Sequence, residues 1–387
     1  MPVRTFIGGF VLLLLSLVGA VTAQAECTQT CSPRIARLLH KVGPLLEAGQ
    51  NREALDLLEG FVDRHPQETY FLIDYYRGNL YAGAGRNEQA LDAYVAALTG
   101  CATDAGLWRN HAKVAWDLER YAVAAVSLHK AYELSPDNEL LFNAAVASSR
   151  AGDREEALAV LERLLGAEQV SDPWLETYVG LCRNNGLERR ALQTLLERRT
   201  QFENRPGYWQ LRAMLHVQLQ QYDQGAAALQ ALAALEPLAG TDKRLLADLL
   251  VQINVPLQAA ELYTELLAEN PQDMELRRML VTSYRLGLQP RKALDVIEQA
   301  RNLRQDKRLL RNKAEISFDL KLYGQAYQSF GELLQLDPEY GPAYLYRGYA
   351  AVQLGDLDGA RQALMRALRF AKEKKEAQQL LAWLNQH

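Results

Sequence analysis

A small residue returns along nearly the whole chain at an almost constant interval. The positions are Ala54, Ala90, Ala124, Ala157, Ala191, Gly225, Ala259, Ala293, Ala326 and Ala360, with gaps of 36, 34, 33, 34, 34, 34, 34, 33 and 34 residues. A segment of roughly 34 residues is too short to bury an apolar face by itself, so such segments must stack and share a core. The period predicts a solenoid of about ten repeats rather than one globular core.

Residue types recur within each period as well as the spacing. The last full repeat reads Tyr344, Gly348, Ala351, Gly355, Leu357, Ala360, Leu364 and Ala367, with Pro338 closing the repeat before it. The second gives Gly78, Tyr81, Gly85, Ala90, Tyr94 and Ala97, and the third Trp108, Ala112, Ala115, Tyr121, Ala124, Leu128, Ala131 and Pro136. Small residues three and four apart let two helices approach closely, and the large ones fill the space between neighbouring repeats. Gly49, Gly85, Gly152, Gly186 and Gly355 fall between the two helices, where a left-handed cap suits glycine. Pro66, Pro136, Pro237, Pro271 and Pro338 fall where the second helix must stop.

This pattern resembles the tetratricopeptide repeat, in particular exported bacterial scaffold proteins of that family. The resemblance covers residues 33 to 372 and implies an all-α fold, a right-handed α-solenoid of helix-turn-helix repeats. Repeats 4 and 5 carry Gln169 and Glu203 in place of the closing proline, and the turn of repeat 8 has an extra residue near Pro290, so stacking should be irregular there. Val42 replaces a small residue in repeat 1, where packing is expected to be looser, and Ala145 stands in the same slot of repeat 4.

The chain divides into a signal peptide (1–25), an N-terminal segment (26–34) holding Cys27 and Cys31, the solenoid (35–372) and a capping helix (373–387). Arg4, the apolar run from Phe6 to Val21 and Ala23-Gln24-Ala25 form an export signal with cleavage expected after Ala25. The run is shorter than a spanning helix needs, and Glu26 stands between the small residues and Cys27, which argues against a lipid anchor. The mature chain is expected to be periplasmic or secreted, with no stable membrane insertion. At the other end, Lys372, Lys374, Lys375 and Glu376 face Leu380, Leu381, Trp383 and Leu384 across one amphipathic helix, which suits a cap on the last core face.

The formal net charge is −4, which argues against a nucleic-acid partner. In an oxidising compartment Cys27, Cys31 and Cys101 are candidates for a disulfide, either locally between Cys27 and Cys31 or from one of them to Cys101, while Cys182 sits at a buried position. No phosphate loop, nucleophile elbow or histidine pair at ligand spacing occurs, and His216 occupies a core position. The chain is therefore expected to be no enzyme and to hold no cofactor or metal.

The resemblance implies that the first helix of each repeat lines a concave groove. Its groove positions are Tyr75 and Asn79; Arg109, Asn110, Lys113 and Trp116; Phe142 and Asn143; Glu176 and Arg183; Gln210 and Met214; Arg244 and Asp248; Arg278, Thr282 and Arg285; and Arg308, Arg311, Asn312, Glu315 and Phe318. Amides can bond a peptide backbone, arginines a carboxylate, and aromatics add contact area, which together suit an extended peptide. Repeats 3 and 9 share a phrase, Arg109-Asn110-His111-Ala112-Lys113 against Arg311-Asn312-Lys313-Ala314-Glu315, a similarity that repeat duplication alone can also leave. The cations of a chaperone-type carboxylate clamp are replaced by Tyr75, Glu139 and Asn143.

The expected function is a protein-interaction scaffold of the cell envelope, within a secretion, polysaccharide-export or envelope-assembly complex. The alternative is a module that guides a carbohydrate polymer, with Tyr75, Trp108, Trp116, Trp209 and Tyr349 as stacking platforms.

Overall fold

A computed structural model describes Cys27, residues 31–300 and residues 305–385. The export signal and its cleavage site lie outside the described residues. The described chain contains helices and turns, with no strand among them, and the helices pack consecutively as in an α-solenoid. It divides between Asn185 and Gly186 into two compact bodies.

In the first body the helix pairs are Pro33–Glu47 with Asn51–Arg64, Phe71–Gly83 with Asn87–Gly100, Ala105–Asp117 with Tyr121–Leu134, and Asn138–Ala151 with Arg154–Leu165, followed by Asp172–Asn184. The second body begins with Glu188–Glu197 and the short Arg199–Phe202. It continues with Pro206–Gln218 and Tyr222–Leu235, Gly240–Gln252 and Pro256–Glu269, Met274–Leu286 and Pro290–Glu298, Lys307–Asp319 and Tyr323–Leu336, and Gly341–Gln353 and Leu357–Ala367. Lys374–Leu384 closes it, burying Ala377 and Leu384, whereas Trp383, read as part of the apolar face, is 43% exposed.

The recurring alanines are the tightest points of this packing. Every one from Ala54 to Ala360 is fully buried. Five residues before each of them, and before Gly225, lies a residue with positive φ: Gly49, Gly85, Glu119, Gly152, Gly186, Gln220, Asn254, Leu288, Lys321 and Gly355. The turn between the helices of a repeat thus always passes through the left-handed region. Glycine does so freely, whereas other residues give up about 1–2 kcal/mol. Half of the turns are made by non-glycine residues, so the sequence marks only the glycine half.

Aspartates at the N-caps of Ala105–Asp117, Asn138–Ala151, Met274–Leu286 and Lys307–Asp319 accept backbone N–H bonds, each worth about 0.5–2 kcal/mol. Between repeats the core is filled by large side chains, Leu58, Ile73 and Leu107 in the first body and Tyr208, Tyr263 and Phe330 in the second. Burying one such aliphatic or aromatic side chain contributes about 1.5–3 kcal/mol.

The irregularities fall at the second helices of repeats 5 and 8; the turn of repeat 8 has no extra residue, because three residues separate Leu286 from Pro290 just as three separate Gln252 from Pro256. The second helix of repeat 5 breaks after Glu197 and restarts as Arg199–Phe202, with Phe202 buried 6.2 Å from the Tyr208 ring. In repeat 8 the second helix has only 9 residues. There the buried Arg277 donates to the carbonyls of Val296 at 2.8 Å and Pro271 at 3.0 Å, stitching the repeat's first helix to its second. Val42 is fully buried, so the larger residue in repeat 1 is accommodated inside the core.

The open cysteine pairing is resolved. Cys27 bonds Cys101, with Cα atoms 4.6 Å apart, tying the N-terminal segment to the end of Asn87–Gly100. Cys31 is a free exposed thiol and Cys182 a buried one.

Two histidines are core residues. His111 Nδ1 lies 2.8 Å from Ser127 Oγ, whose hydroxyl donates to the Val123 carbonyl, so the ring nitrogen is the donor to serine. His216 Nδ1 lies 2.8 Å from Gln221 Oε1. Burial lowers the pKa of both below the ordinary histidine value. A group whose folded pKa is depressed contributes its stability above its unfolded pKa, and that stability is lost as pH falls toward the folded one. We expect Tm to hold above about pH 6.5 and to fall progressively below it, with His111→Gln flattening the decline; thermal melts from pH 8 to 5 check this, and parallel curves for both proteins would contradict it.

Candidate functional site

In the first body the predicted groove residues of repeats 2 and 3 meet. Helices Phe71–Gly83 and Ala105–Asp117 place Asn79 and Asn110 side by side, and Asn110 Nδ2 donates to Asn79 Oδ1 at 3.0 Å and to the Tyr75 hydroxyl at 3.4 Å. The same Asn79 oxygen accepts the Tyr94 hydroxyl at 2.7 Å. Tyr94 comes from the second helix of repeat 2 and is buried, which pushes its pKa far above the usual phenol range, so it stays a donor. These bonds leave Asn79 Nδ2 and Asn110 Oδ1 uncommitted, a donor and an acceptor on neighbouring helices.

Gly78 is what lets this arrangement form. A Cβ there would sit 2.6 Å from the Tyr94 ring. Tyr75 contacts the same ring edge at a centroid distance of 6.4 Å. Around the network, Arg109 is exposed and forms no hydrogen bond or ion pair among the described residues, whereas Lys113 pairs with Asp117 one turn on at 2.7 Å. Trp116 packs edge-on to Tyr121 at 5.1 Å and remains half-exposed. Phe142 lies 6.4 Å from Trp174, and Asn143 beside it is half-buried.

The second body treats its groove cations differently. Arg278 pairs with Glu275 and, at 2.7 Å, with Asp306 of the next repeat. Arg285 reaches Asn312 and, at 3.1 Å, Glu315, while Arg311 binds Glu315 at 2.7 Å and lies 4.6 Å over the Tyr340 ring. Gln210 bridges to Asp242 at 2.9 Å, Asp248 accepts from Tyr263, and Thr282 bonds back to the Arg278 carbonyl. Three of the five guanidinium groups expected to face a ligand in this body, those of Arg278, Arg285 and Arg311, are therefore spent on linking one repeat to the next. Arg308 is exposed, Arg244 and Met214 are half-exposed, and in the first body Glu176 is exposed and Arg183 half-exposed.

The shared phrase of repeats 3 and 9 thus has two outcomes. Arg109 is free where Arg311 is paired, and Asn110 donates to an amide where Asn312 accepts from an arginine. The acids responsible, Asp306 and Glu315, could be read in sequence only for Glu315, four residues after Arg311. Asp306 acts across about one repeat, and that pairing has no local signal.

Sequence reasoning also passed over Tyr346. It is 40% exposed and, with Tyr349, packs around Phe318 at 5.1 and 6.3 Å; Tyr349 also donates to Glu376 of the closing helix at 3.1 Å. The stacking platforms required for a carbohydrate polymer fare poorly. Trp108 and Trp209 are half-buried rather than fully in the core, and each indole N–H donates to the loop carbonyl six residues earlier, Ala102 at 2.8 Å and Glu203 at 2.7 Å. Both serve as staples for the preceding loop.

Among the described residues no group of three or more His, Cys, Asp or Glu side chains could hold a metal ion, and no helix is long and apolar enough to cross a membrane.

Profiles of the tetratricopeptide repeat match residues 45–105, 109–172 and 211–273, and a second such profile matches 318–384. The chain carries tetratricopeptide repeats. The matched segments cover repeats on both sides of the division between the two bodies. Among solved structures the tetratricopeptide-repeat fold resembles Naa15/Naa10 bound to HypK-THB, at 17% identity over 89% of this chain and 61% of that one, with a TM-score of 0.49. It also resembles MamA (15% identity, 44% of this chain and 94% of that one, TM-score 0.38) and a tetratricopeptide repeat protein from Parabacteroides merdae (14%, 64% and 98%, TM-score 0.35). At such identities the likeness concerns the fold alone, and the chain spans only 61% of the length of the first. No curated protein matches the chain by sequence.

Proposed function

We propose that this chain is a non-enzymatic interaction scaffold that holds an extended segment of a partner protein against the first helices of repeats 2 to 4, and that it works outside the cytoplasm, in the cell envelope. The observation that carries the reading is the linked amide pair. An extended strand presents C=O and N–H groups outward, and the uncommitted Asn79 Nδ2 and Asn110 Oδ1 offer the complementary donor and acceptor. Tyr75 and Tyr94 fix both amides before binding, so little side-chain entropy is lost when a peptide arrives. Arg109 beside them supplies a cation without an internal acid, and Trp116 and Phe142 supply aromatic area.

The extracytoplasmic setting is supported by the apolar leader and by the Cys27–Cys101 bridge, since such bridges persist in oxidising compartments. The mature chain with Arg109→Ala, Asn110→Ala and Trp116→Ala is expected to lose its partners from an envelope extract while staying folded with a Tm lowered by several degrees, because Asn110 and Trp116 are half-buried; Arg109→Ala alone, at an exposed position, should weaken recovery with Tm within about 2 °C. Recovery of every partner by the triple variant would sink the groove reading.

A further inference from the structure

The turn edge of repeats 7 and 8 carries an apolar depression of about 380 Å³, lined by Val255, Pro256, Leu257, Gln258, Leu286, Gly287 and Leu288. Three observations converge on it. Leu288 is 87% exposed, far more than any other large apolar side chain among the described residues. Its backbone has φ +54°, a left-handed conformation that four other repeats give to polar residues and the remaining five to glycine. Gly287 lies close under Leu257, since a Cβ there would stand 2.3 Å from Leu257 Cδ2 and would push that side chain aside. The turn is thus pressed onto Leu257 while Leu288 is held out over water at the rim. A strained backbone that displays an apolar side chain at a pocket is an outlier of the kind found at binding sites.

The surroundings indicate the chemistry of the occupant. Residues 253–261 and 285–292 contain Arg285, Arg291 and Lys292 against the single acid Glu261, in a chain of net charge −4. Arg285 is engaged by Glu315, whereas Arg291 and Lys292 are exposed at the start of Pro290–Glu298 directly after the pocket turn, Lys292 over the Tyr284 ring at 5.7 Å and with the exposed Asp295 one turn further on. The turns of repeats 9 and 10 continue the edge with exposed Leu322 and Leu354. In the first body the corresponding turns read Gly85-Arg86, Glu119-Arg120 and Gly152-Asp153.

We infer that this edge is a second interaction surface, separate from the first-helix face, and that it takes an acidic, leucine-bearing segment of a partner protein. The partner's apolar side chain enters the depression beside Leu257 and Leu286, Leu288 closes over it, and the partner's carboxylates meet Arg291 and Lys292. A lysine-rich segment of the same apolar pattern is repelled.

The test is fluorescence anisotropy on the mature chain at low salt, with a fluorescein-labelled peptide carrying a central leucine pair between runs of aspartate. A matched peptide with lysine for aspartate is the control. The acidic peptide is expected to bind at least about tenfold more tightly than the control. Leu288→Gly should weaken it by about tenfold or more while leaving Tm unchanged or raised, since glycine relieves the left-handed turn. Arg291→Glu with Lys292→Glu should weaken it comparably. Equal binding of the two peptides, or full binding by Leu288→Gly, would overturn the inference. A lowered Tm for Leu288→Gly would also overturn it, by making the leucine a structural residue. Two further results assign the edge elsewhere: a dimer lost on Leu288→Gly points to a second copy of this chain. Peptide binding that appears only when residues 1–25 are removed points to the chain's own leading apolar run.

Discussion

Reduction of the Cys27–Cys101 bridge is expected to destabilise the first two repeats by about 4 kcal/mol. The bridge spans 74 residues, and closing a loop of that length removes chain entropy of this order from the unfolded state. It also fastens Cys27 to the end of Asn87–Gly100. The loss should be local, because stability in a repeat array is roughly a sum over repeats and their nearest-neighbour contacts. Guanidinium melts with and without reductant would show an early transition on reduction, and Cys101→Ser should reproduce it. Cys31→Ser should have no effect, because that thiol is free and exposed. A melt unchanged by reductant would contradict a structural role for the bridge.

Tyr94→Ala is expected to cost about 3–5 kcal/mol, as for other large aromatic deletions from a core. The ring is 2% exposed, sits over Gly78 and touches the core of repeat 2. Tyr94→Phe separates packing from hydrogen bonding. It keeps the ring and removes only the bond to Asn79, so about 1 kcal/mol should be lost. Partner binding should weaken in Tyr94→Phe all the same, because Asn79 loses the group that orients it. Thermal melts of both variants, with binding measured on Tyr94→Phe, check the pair; a Phe variant as unstable as the Ala variant would mean that the hydroxyl, not the ring, holds repeat 2 together.

Much of the fold is legible in the sequence because its two determinants are local and periodic. A small residue is needed wherever two helices touch, and Ala54 to Ala360 display that need directly. The left-handed turns are legible at Gly49 or Gly355 but invisible at Glu119, Gln220, Asn254, Leu288 and Lys321, where tertiary packing holds an unfavourable residue in place. The site is less legible, for a physical reason of the same kind. Which residues share a face follows from the helical period, and Asn79, Asn110 and Tyr75 do meet. Whether a cation on that face is free depends on acids a repeat away. Arg278 shows this, since Asp306 engages it from 28 residues on, whereas the contrast between Arg311 and Arg109 is partly local, Glu315 standing one turn after the first and Lys113 one turn after the second. The disulfide had the same character, since spacing alone left three cysteines with more than one way to pair.

The most direct measurement is photocrosslinking from two positions of repeat 3 in the producing cell. A benzophenone side chain in place of Lys113, on Ala105–Asp117, stands on the proposed binding face. One in place of Val126, on Tyr121–Leu134, stands on an equally accessible part of the second helix. A discrete partner adduct from position 113, absent from position 126 and lost when Asn110→Ala and Trp116→Ala are added, is the expected result. Adducts from position 126 alone would contradict a partner held against the first helices.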